Sequence, residues 1–156
     1  MIRETEEAFN WIINILNLYK IQYEITGGLA ARIYGSQRTL ADIDIDIPEK
    51  AFVKIFEDVK PYITFGPARY RDGQWDLLLM SLRYEGQDID ICGAYKDKIF
   101  DHEKNEWVLE KENLEDVDIE KVFGRSVPVM QLARLLEYKK KLGRDVDIED
   151  IRQLSS

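Results

Sequence analysis

The sequence predicts one α+β domain, built as a small mixed β-sheet flanked by helices. Apolar residues recur at helical spacing near both ends of the chain, whereas the middle contains segments in which apolar and acidic residues alternate strictly. The length of 156 residues corresponds to about one domain, and we find no linker and no internal repeat. We therefore expect a single domain over residues 1–156, ending in helices.

The N-terminal part is predicted to hold two helices around a short strand. A helix over residues 5–19 is expected because its apolar side chains recur every three or four positions and acidic residues occupy its first turn. A strand over residues 22–26 then runs into Gly27 and Gly28. A short helix over residues 29–34 follows this turn.

The clearest strand lies at residues 42–47, where aspartate and isoleucine alternate. The alternation places three isoleucines on one face and three aspartates on the other, namely Asp42, Asp44 and Asp46. Pro48 ends this strand. A helix is predicted to follow it.

The helix that follows Pro48 is expected over residues 49–59. A hairpin is expected further along the chain. Residues 77–84 and 88–93 look like its two strands, with a turn that contains Gly86. The second strand repeats the alternation, since it opens with aspartates at 88 and 90 around an isoleucine.

The C-terminal part is predicted to be helical. Residues 96–120 are acidic and carry no clear periodicity, so no element is assigned there. A helix is expected over residues 128–142 because Pro128 suits the first helical position. A final helix is expected over residues 147–154.

Charge and composition limit the partners of this protein. The net charge of −8 disfavours binding to a long nucleic acid, since such binding depends on neutralising phosphates. The single cysteine, Cys92, excludes a disulfide within the chain and a zinc site built from cysteines. The N-terminus is acidic where a signal peptide is basic, and the sequence has no apolar run long enough for a membrane span. We therefore expect a cytoplasmic protein without membrane association.

The aspartate face of residues 42–47 is a candidate metal site. Aspartate is a poor strand former, and three carboxylates on one strand face repel each other. A divalent cation would offset that repulsion. The repeat of the pattern at Asp88 and Asp90 strengthens this interpretation, although two solvated acidic strand faces would give the same sequence.

Gly27 and Gly28 are a second candidate feature. Glycines between a strand and a helix let the backbone come close to a ligand, and amide groups at a helix start suit phosphate. A plain tight turn explains the same two residues equally well.

Together these residues resemble the nucleotidyltransferase superfamily, which has the DNA polymerase beta-like fold. The family pattern is a Gly-Gly or Gly-Ser turn, a spacer, an Asp-x-Asp strand and a third acid on a later strand. In this sequence Gly27-Gly28 is followed by thirteen residues and then by Asp42-Ile43-Asp44. Asp90 supplies the third acid, and we prefer it to Asp88 because it lies inside its strand. Asp46 is an additional acid, so a pair formed by Asp44 and Asp46 stays an alternative.

The sequence is similar in particular to AbiEii-like proteins and to aminoglycoside or lincosamide adenylyltransferases. The similar segments are 27–35, Arg38 and 42–45, and a weaker similarity extends to the C-terminal part of the chain. The C-terminal residues that carry it are Lys139, Gly143, Arg144, Asp147 and Asp150.

The resemblance implies transfer of a nucleoside monophosphate from an NTP to an unknown hydroxyl acceptor, a small molecule or a protein, at a two-metal site. Mg²⁺ or Mn²⁺ would be the cofactor. The residues implied as metal ligands and catalytic groups are Asp42, Asp44 and Asp90. The residues implied in nucleotide binding are Gly27, Gly28, Arg38 and Lys139.

Several alternatives remain at this point. The stem of Lys139 can cover the core while its ammonium group reaches solvent. Asp147 and Asp150 can be an N-cap and a first-turn acid of the last helix. The whole chain can also be an interaction module that binds a protein partner, as in toxin–antitoxin pairs, or an acidic domain that only binds cations.

Overall fold

The computed structural model describes residues 3–110 and 112–155. Within these residues the chain has the predicted α+β fold, with five α-helices around one mixed β-sheet of nine strands. The helices are α1 (Arg3–Leu18), α2 (Gly27–Ile33), α3 (Phe52–Val59), α4 (Leu132–Leu142) and α5 (Asp145–Leu154). The strands are β1 (Glu24–Thr26), β2 (Asp42–Pro48), β3 (Ile63–Arg71), β4 (Trp75–Tyr84), β5 (Gln87–Ala94), β6 (Lys98–Asp101), β7 (Glu106–Leu109), β8 (Asp118–Val122) and β9 (Arg125–Val129). No helix in the described part of the chain combines the length and the apolar character that a membrane crossing requires.

The two strands that contain Asp-Ile-Asp are neighbours at the centre of the sheet. The strand order is β7-β6-β4-β5-β2-β1-β9-β8, and β3 pairs with β4. β2 runs parallel to β5 and antiparallel to β1, while β4 and β5 form the predicted hairpin. The parallel pairing aligns the two acidic segments residue by residue.

The isoleucines of β2 explain why this strand lies at the centre. Ile43, Ile45 and Ile47 are completely buried, and they belong to the same core as the apolar faces of α1 and α3. Burying three such side chains contributes several kcal/mol, about 1.5–3 kcal/mol for each. Because side chains alternate along a strand, this burial directs the aspartates to the opposite face.

The prediction of a helix from residue 128 was wrong at its start. Residues 125–129 form β9, and the helix α4 begins only at Leu132. Proline is compatible with a helix start, but Val127 and Val129 on either side of Pro128 are almost fully buried. Their burial in the sheet outweighs the local preference for a helix.

Other differences concern weakly patterned segments. The acidic segment 96–120 contains β6, β7 and the first part of β8, and β3 was not predicted. The region predicted as helix 49–59 begins with a 3-10 turn at Glu49–Ala51 before α3. The remaining predicted elements are present with ends shifted by a few residues, because hydrophobic periodicity locates the middle of an element better than its ends.

Candidate active site

Polar side chains form aligned rows across the sheet face opposite the isoleucines. One row joins Thr26 on β1, Asp44 on β2, Asp90 on β5 and Ser81 on β4. A second row places Asp42 beside Asp88. The two Asp-Ile-Asp segments therefore lie side by side, on the same face and in the same register.

Asp42, Asp44 and Asp90 converge at the centre of these rows. Each offers a carboxylate oxygen, and these oxygens lie within 4.8 Å of one another. All three side chains are partly buried, and Ser81 Oγ donates a hydrogen bond of 2.7 Å to Asp90. The structure thus brings together the three aspartates that the sequence analysis selected.

The crowding of these carboxylates changes their acidity. Burial and, next to it, the charge of the neighbouring Asp90 together raise the pKa of Asp42 to about 6. Burial also raises the pKa of Asp44, together with the charges of Asp42 and Asp90, while Lys139 opposes this shift. Three partly buried carboxylates that repel each other at such short range are suited to bind a hard divalent cation, because such a cation prefers oxygen ligands and offsets the repulsion.

Asp88 and Asp46 lie outside this group of three. Asp88 is more than half exposed and forms an ion pair of 2.7 Å with Arg83. Asp46 is buried, and its partner in the sheet register is Glu24 on β1. The geometry therefore favours Asp90 over Asp88 and the pair Asp42–Asp44 over Asp44–Asp46.

Gly27 and Gly28 begin helix α2 directly beside Asp44. Gly27 has a φ of +61°, and a Cβ atom built on it would overlap the Asp44 carboxylate. The backbone N–H of Gly28 opposes the rise in the pKa of this carboxylate. Glycine at position 27 therefore allows the start of helix α2 to lie close to the Asp44 carboxylate.

Arg38 lies at the edge of the same cavity, held by helix α5. Its Nη2 and Nε atoms donate hydrogen bonds of 2.7 and 3.2 Å to Asp150. Its side chain stays 28% exposed, so part of the guanidinium group faces the cavity.

Lys139 is buried, which excludes the alternative in which its ammonium group reaches solvent. Its side chain is 2% exposed, and Nζ lies 3.0 Å from Asp150 and 3.5 Å from Asp147. The helix-capping interpretation of these acids is correct only in part. Asp147 accepts a hydrogen bond from the N–H of Arg144, but Asp147 is the third residue of the helix and Arg144 is the N-cap. Asp150 lies beyond the first turn.

The three aspartates line a cavity of about 470 Å³. This volume falls in the usual range for small-molecule sites. Gly27, Gly28, Arg38 and Arg144 line the same cavity, and the Arg144 guanidinium group stacks on Trp75 at 5.1 Å from the ring centre.

Sequence reasoning missed a second group of acidic residues that line this cavity. They are Asp97, Glu110 and Glu112, and the charges of Asp97 and Glu112 act on Asp46. The one available signal was Asp46, the additional acid of the alternating strand. The other three come from a segment without periodicity.

Solved structures with the same fold include a provisionally assigned nucleotidyltransferase, an adenylyltransferase and a protein in complex with an adenylylated compound. A protein of Thermotoga maritima that carries a provisional nucleotidyltransferase assignment has a TM-score of 0.71 at 21% identity, with 97% of this chain and 93% of that chain covered. The lincosamide antibiotic adenylyltransferase LnuA, solved with lincomycin bound, gives 0.64 at 19% identity and 97% coverage of both chains. ANT(2'')-Ia in complex with adenylyl-2''-tobramycin gives 0.61 at 14% identity, with 96% and 86% coverage.

The chain therefore has a nucleotidyltransferase-like fold, as its sequence predicted. No protein-family profile matches the sequence. No curated protein matches it either. The resemblance to AbiEii-like proteins stays a prediction.

Proposed function

We propose that this protein is a metal-dependent nucleotidyltransferase that transfers a nucleoside monophosphate from an NTP to a hydroxyl acceptor. The observation that carries the proposal is the convergence of Asp42, Asp44 and Asp90, with ligand oxygens within 4.8 Å of one another, in the lining of a ligand-sized cavity. The adenylyltransferases among the structural neighbours support the same class of reaction.

The three aspartates would hold Mg²⁺ or Mn²⁺. Bound ions of this kind neutralise phosphate charge and make the α-phosphorus more electrophilic. Asp42 and Asp44 come from one strand and Asp90 from its neighbour, so the ligand set is fixed by the sheet and not by a loop. Such rigid placement suits a reaction that depends on position.

Asp90 is the residue proposed to receive the proton of the attacking hydroxyl group. In the transfer, the acceptor oxygen forms a bond to the α-phosphorus, the bond from that phosphorus to the bridging oxygen breaks, and pyrophosphate leaves. The Ser81 hydroxyl donates to Asp90 and fixes the orientation of its carboxylate. A carboxylate held in this way can act as a general base.

The phosphates of the NTP are proposed to lie near Gly27, Gly28, Arg38 and Arg144. Both arginines line the cavity, and guanidinium groups bind phosphate oxygens through paired hydrogen bonds. Lys139 contributes its buried positive charge, which acts on Asp44 and lies against Asp150.

The proposed acceptor is a small molecule. The cavity volume suits one, and the names of LnuA and ANT(2'')-Ia associate those neighbours with antibiotic substrates. The test incubates the protein with each α-labelled NTP, Mg²⁺ or Mn²⁺ and a pool of small hydroxyl compounds. Metal-dependent transfer of label that is lost in Asp44→Asn supports the proposal, and absence of both metal-dependent nucleotide binding and transfer contradicts it.

A further inference from the structure

All the basic side chains among the described residues that line the cavity belong to one charge network. They are Arg38, Lys139 and Arg144, and acids outnumber them in the same lining. Phosphate oxygens are bound most strongly by charged donors such as guanidinium and ammonium groups. Any direct contact between a cation of the described chain and a phosphate in this cavity therefore involves these three residues.

The two arginines are held in the same way by two acids of helix α5. Arg38 donates through Nε and Nη2 to Asp150, at 3.2 and 2.7 Å. Arg144 donates through the same two atoms to Asp147, at 2.6 and 3.1 Å. Such paired hydrogen bonds fix the plane of the guanidinium group as well as its position. Within residues 3–110 and 112–155, no hydrogen bond uses the Nη1 group of either arginine, so one edge of each is left for a ligand.

Lys139 joins the two pairs. Its Nζ atom lies 3.5 Å from Asp147 and 3.0 Å from Asp150, and both acids are completely buried. We call Arg38, Asp150, Lys139, Asp147 and Arg144 the Lys139 network. It contains three cations and two anions, so one positive charge is in excess. Without the lysine, the two acids would cancel the charge of the arginines and with it most of their attraction for phosphate.

The connection between α4 and α5 explains this arrangement. Gly143 ends α4 with a φ of 64°, and Arg144 directly after it is the N-cap residue of α5. Asp147 and Asp150 are three positions apart, so they share one face of α5. That face lies against Lys139 on α4. Two packed helices therefore hold the network together.

Further contacts fix the segment that carries Arg38. The Ser36 hydroxyl donates a hydrogen bond of 2.9 Å to Asp150, and Arg32 Nη1 donates one of 2.6 Å to the backbone carbonyl of Arg38. A Cβ atom built on Gly28 would lie 3.6 Å from Arg38 Nη2. The guanidinium group is thus held beside the glycine turn at the start of α2.

The two acids can act on a ligand only through the arginines. Asp147 and Asp150 are completely buried and do not line the cavity themselves. An unrestrained arginine side chain loses rotamer freedom when it binds phosphate. An arginine that is already held in position loses less, so it binds more tightly.

We infer that Asp147 and Asp150 are positioning residues for the nucleotide: they hold Arg144 and Arg38 so that the Lys139 network binds the triphosphate as one preassembled unit. This inference rests on the proposed function for the identity of the ligand. The holding of the arginines by α5 does not depend on the metal, so the two proposals can fail separately.

The test measures two ligands in each variant: a non-hydrolysable ATP analogue with Mg²⁺, and adenosine, which has the same base and sugar but no phosphate. Calorimetric titration gives the affinity of the analogue, and displacement of a fluorescent ATP analogue gives that of adenosine. Asp147→Asn and Asp150→Asn should each lower the ratio of the two affinities about tenfold, as loss of a charged hydrogen bond implies. A merely structural role would weaken both ligands alike and leave the ratio unchanged.

The sign of the change separates positioning from charge. Each of these substitutions removes a negative charge, so an effect of charge alone would raise the affinity for the triphosphate. Asp145→Asn, at an exposed acid of the same helix, should leave the ratio unchanged. A ratio that is unchanged or raised in both Asp147→Asn and Asp150→Asn would overturn the inference.

A charge-preserving variant decides the question where an acid variant does not fold. Arg38→Lys keeps the positive charge at a partly exposed position, but an ammonium group cannot form the paired hydrogen bonds to Asp150 and keep a fixed edge for phosphate. It should lower the ratio about tenfold. Arg152→Lys, at an exposed arginine of α5, is the matched control and should not change it. An unchanged ratio in Arg38→Lys would overturn the inference, and thermal unfolding checks that each variant is folded.

The metal dependence of analogue binding separates the two proposals. If the analogue needs Mg²⁺ to bind but the ratio is the same in the variants and the wild type, the inference is wrong and the nucleotidyltransferase proposal stands. If the ratio falls in the variants but the analogue binds equally well without metal and in Asp44→Asn, the proposed function is wrong and the positioning role stands. Absence of analogue binding to the wild type would contradict both.

Discussion

Asp44 on β2 and Asp90 on β5 are register partners across a parallel strand pair. Because the pairing is in register, each Asp-Ile-Asp segment presents its carboxylates on the face opposite the buried isoleucines. The site therefore follows directly from the pattern that builds the core: the isoleucines determine which way the aspartates point. The following predictions test the roles assigned to individual residues.

Asp44→Asn should weaken Mg²⁺-dependent nucleotide binding while the fold persists. Loss of a charged ligand should weaken that binding about tenfold or more. The metal-free protein should keep or gain thermal stability, since the substitution relieves repulsion from Asp42 and Asp90. Calorimetric nucleotide titration and thermal unfolding measure the two effects, and a large fall in melting temperature would show that Asp44 is structural.

Gly27→Ala should disturb the site, whereas Gly28→Ala should be tolerated. A Cβ at Gly27 overlaps the Asp44 carboxylate, and a φ of +61° costs alanine about 1–2 kcal/mol. A Cβ at Gly28 makes only ordinary contacts, at 3.5 Å from Leu40 and 3.6 Å from Arg38. Denaturant unfolding and nucleotide binding of the two variants check this, and equal behaviour would contradict the assigned geometry.

Lys139→Met should destabilise the protein by about 3 kcal/mol or more. The substitution leaves Asp147 and Asp150 without the buried ammonium group that lies between them. Lys140→Met is the matched control, since Lys140 is exposed, and it should change the free energy of unfolding by less than about 0.5 kcal/mol. A similar small change in both variants would mean that the buried ion pairs contribute little.

Asp150 should make the protein sensitive to acid. Burial alone would raise its pKa, but hydrogen bonds from Arg38, Lys139 and Ser36 lower it to about 2. A depressed pKa in the folded state stabilises the protein above the unfolded pKa of about 3.9, and this stabilisation is lost as the pH falls toward 2. We expect roughly 2 kcal/mol of stability to disappear over that window.

Urea unfolding measured from about pH 5 to about pH 2, a range that includes both pKa values, measures this loss. Asp150→Asn should be less stable than the wild type at neutral pH and should lack this part of the pH dependence. Asp145→Asn, an exposed acid at the start of the same helix, should keep it. Wild-type pH dependence in Asp150→Asn would contradict the assignment.

The central sheet and the three aspartates could be predicted because their pattern is local. Strict alternation over residues 42–47 determines both the strand and the face of each side chain. β9 could not be predicted in this way. Val127 and Val129 gain their burial from β1, which is remote in sequence, while the local sequence around Pro128 also permits a helix start.

The second group of acids in the cavity and the Lys139 network could not be predicted for the same reason. Asp97 and Glu112 meet Asp46 only because β5 and the segment that follows it fold back beside β2. A lysine on an apolar helix stripe is equally consistent with an exposed ammonium group and a buried ion pair. The choice depends on where Asp147 and Asp150 lie, and only the tertiary structure determines that.

The central claim is that Asp42, Asp44 and Asp90 hold a divalent metal together with a nucleotide. Titration of Mn²⁺ into the protein with a non-hydrolysable ATP analogue, followed by electron paramagnetic resonance, tests it most directly. We predict tight, nucleotide-dependent Mn²⁺ binding that Asp90→Asn abolishes and that Asp88→Asn retains, since Asp88 is paired with Arg83 outside the site. Mn²⁺ binding that is unchanged in Asp90→Asn, or lost only in Asp88→Asn, would contradict the account.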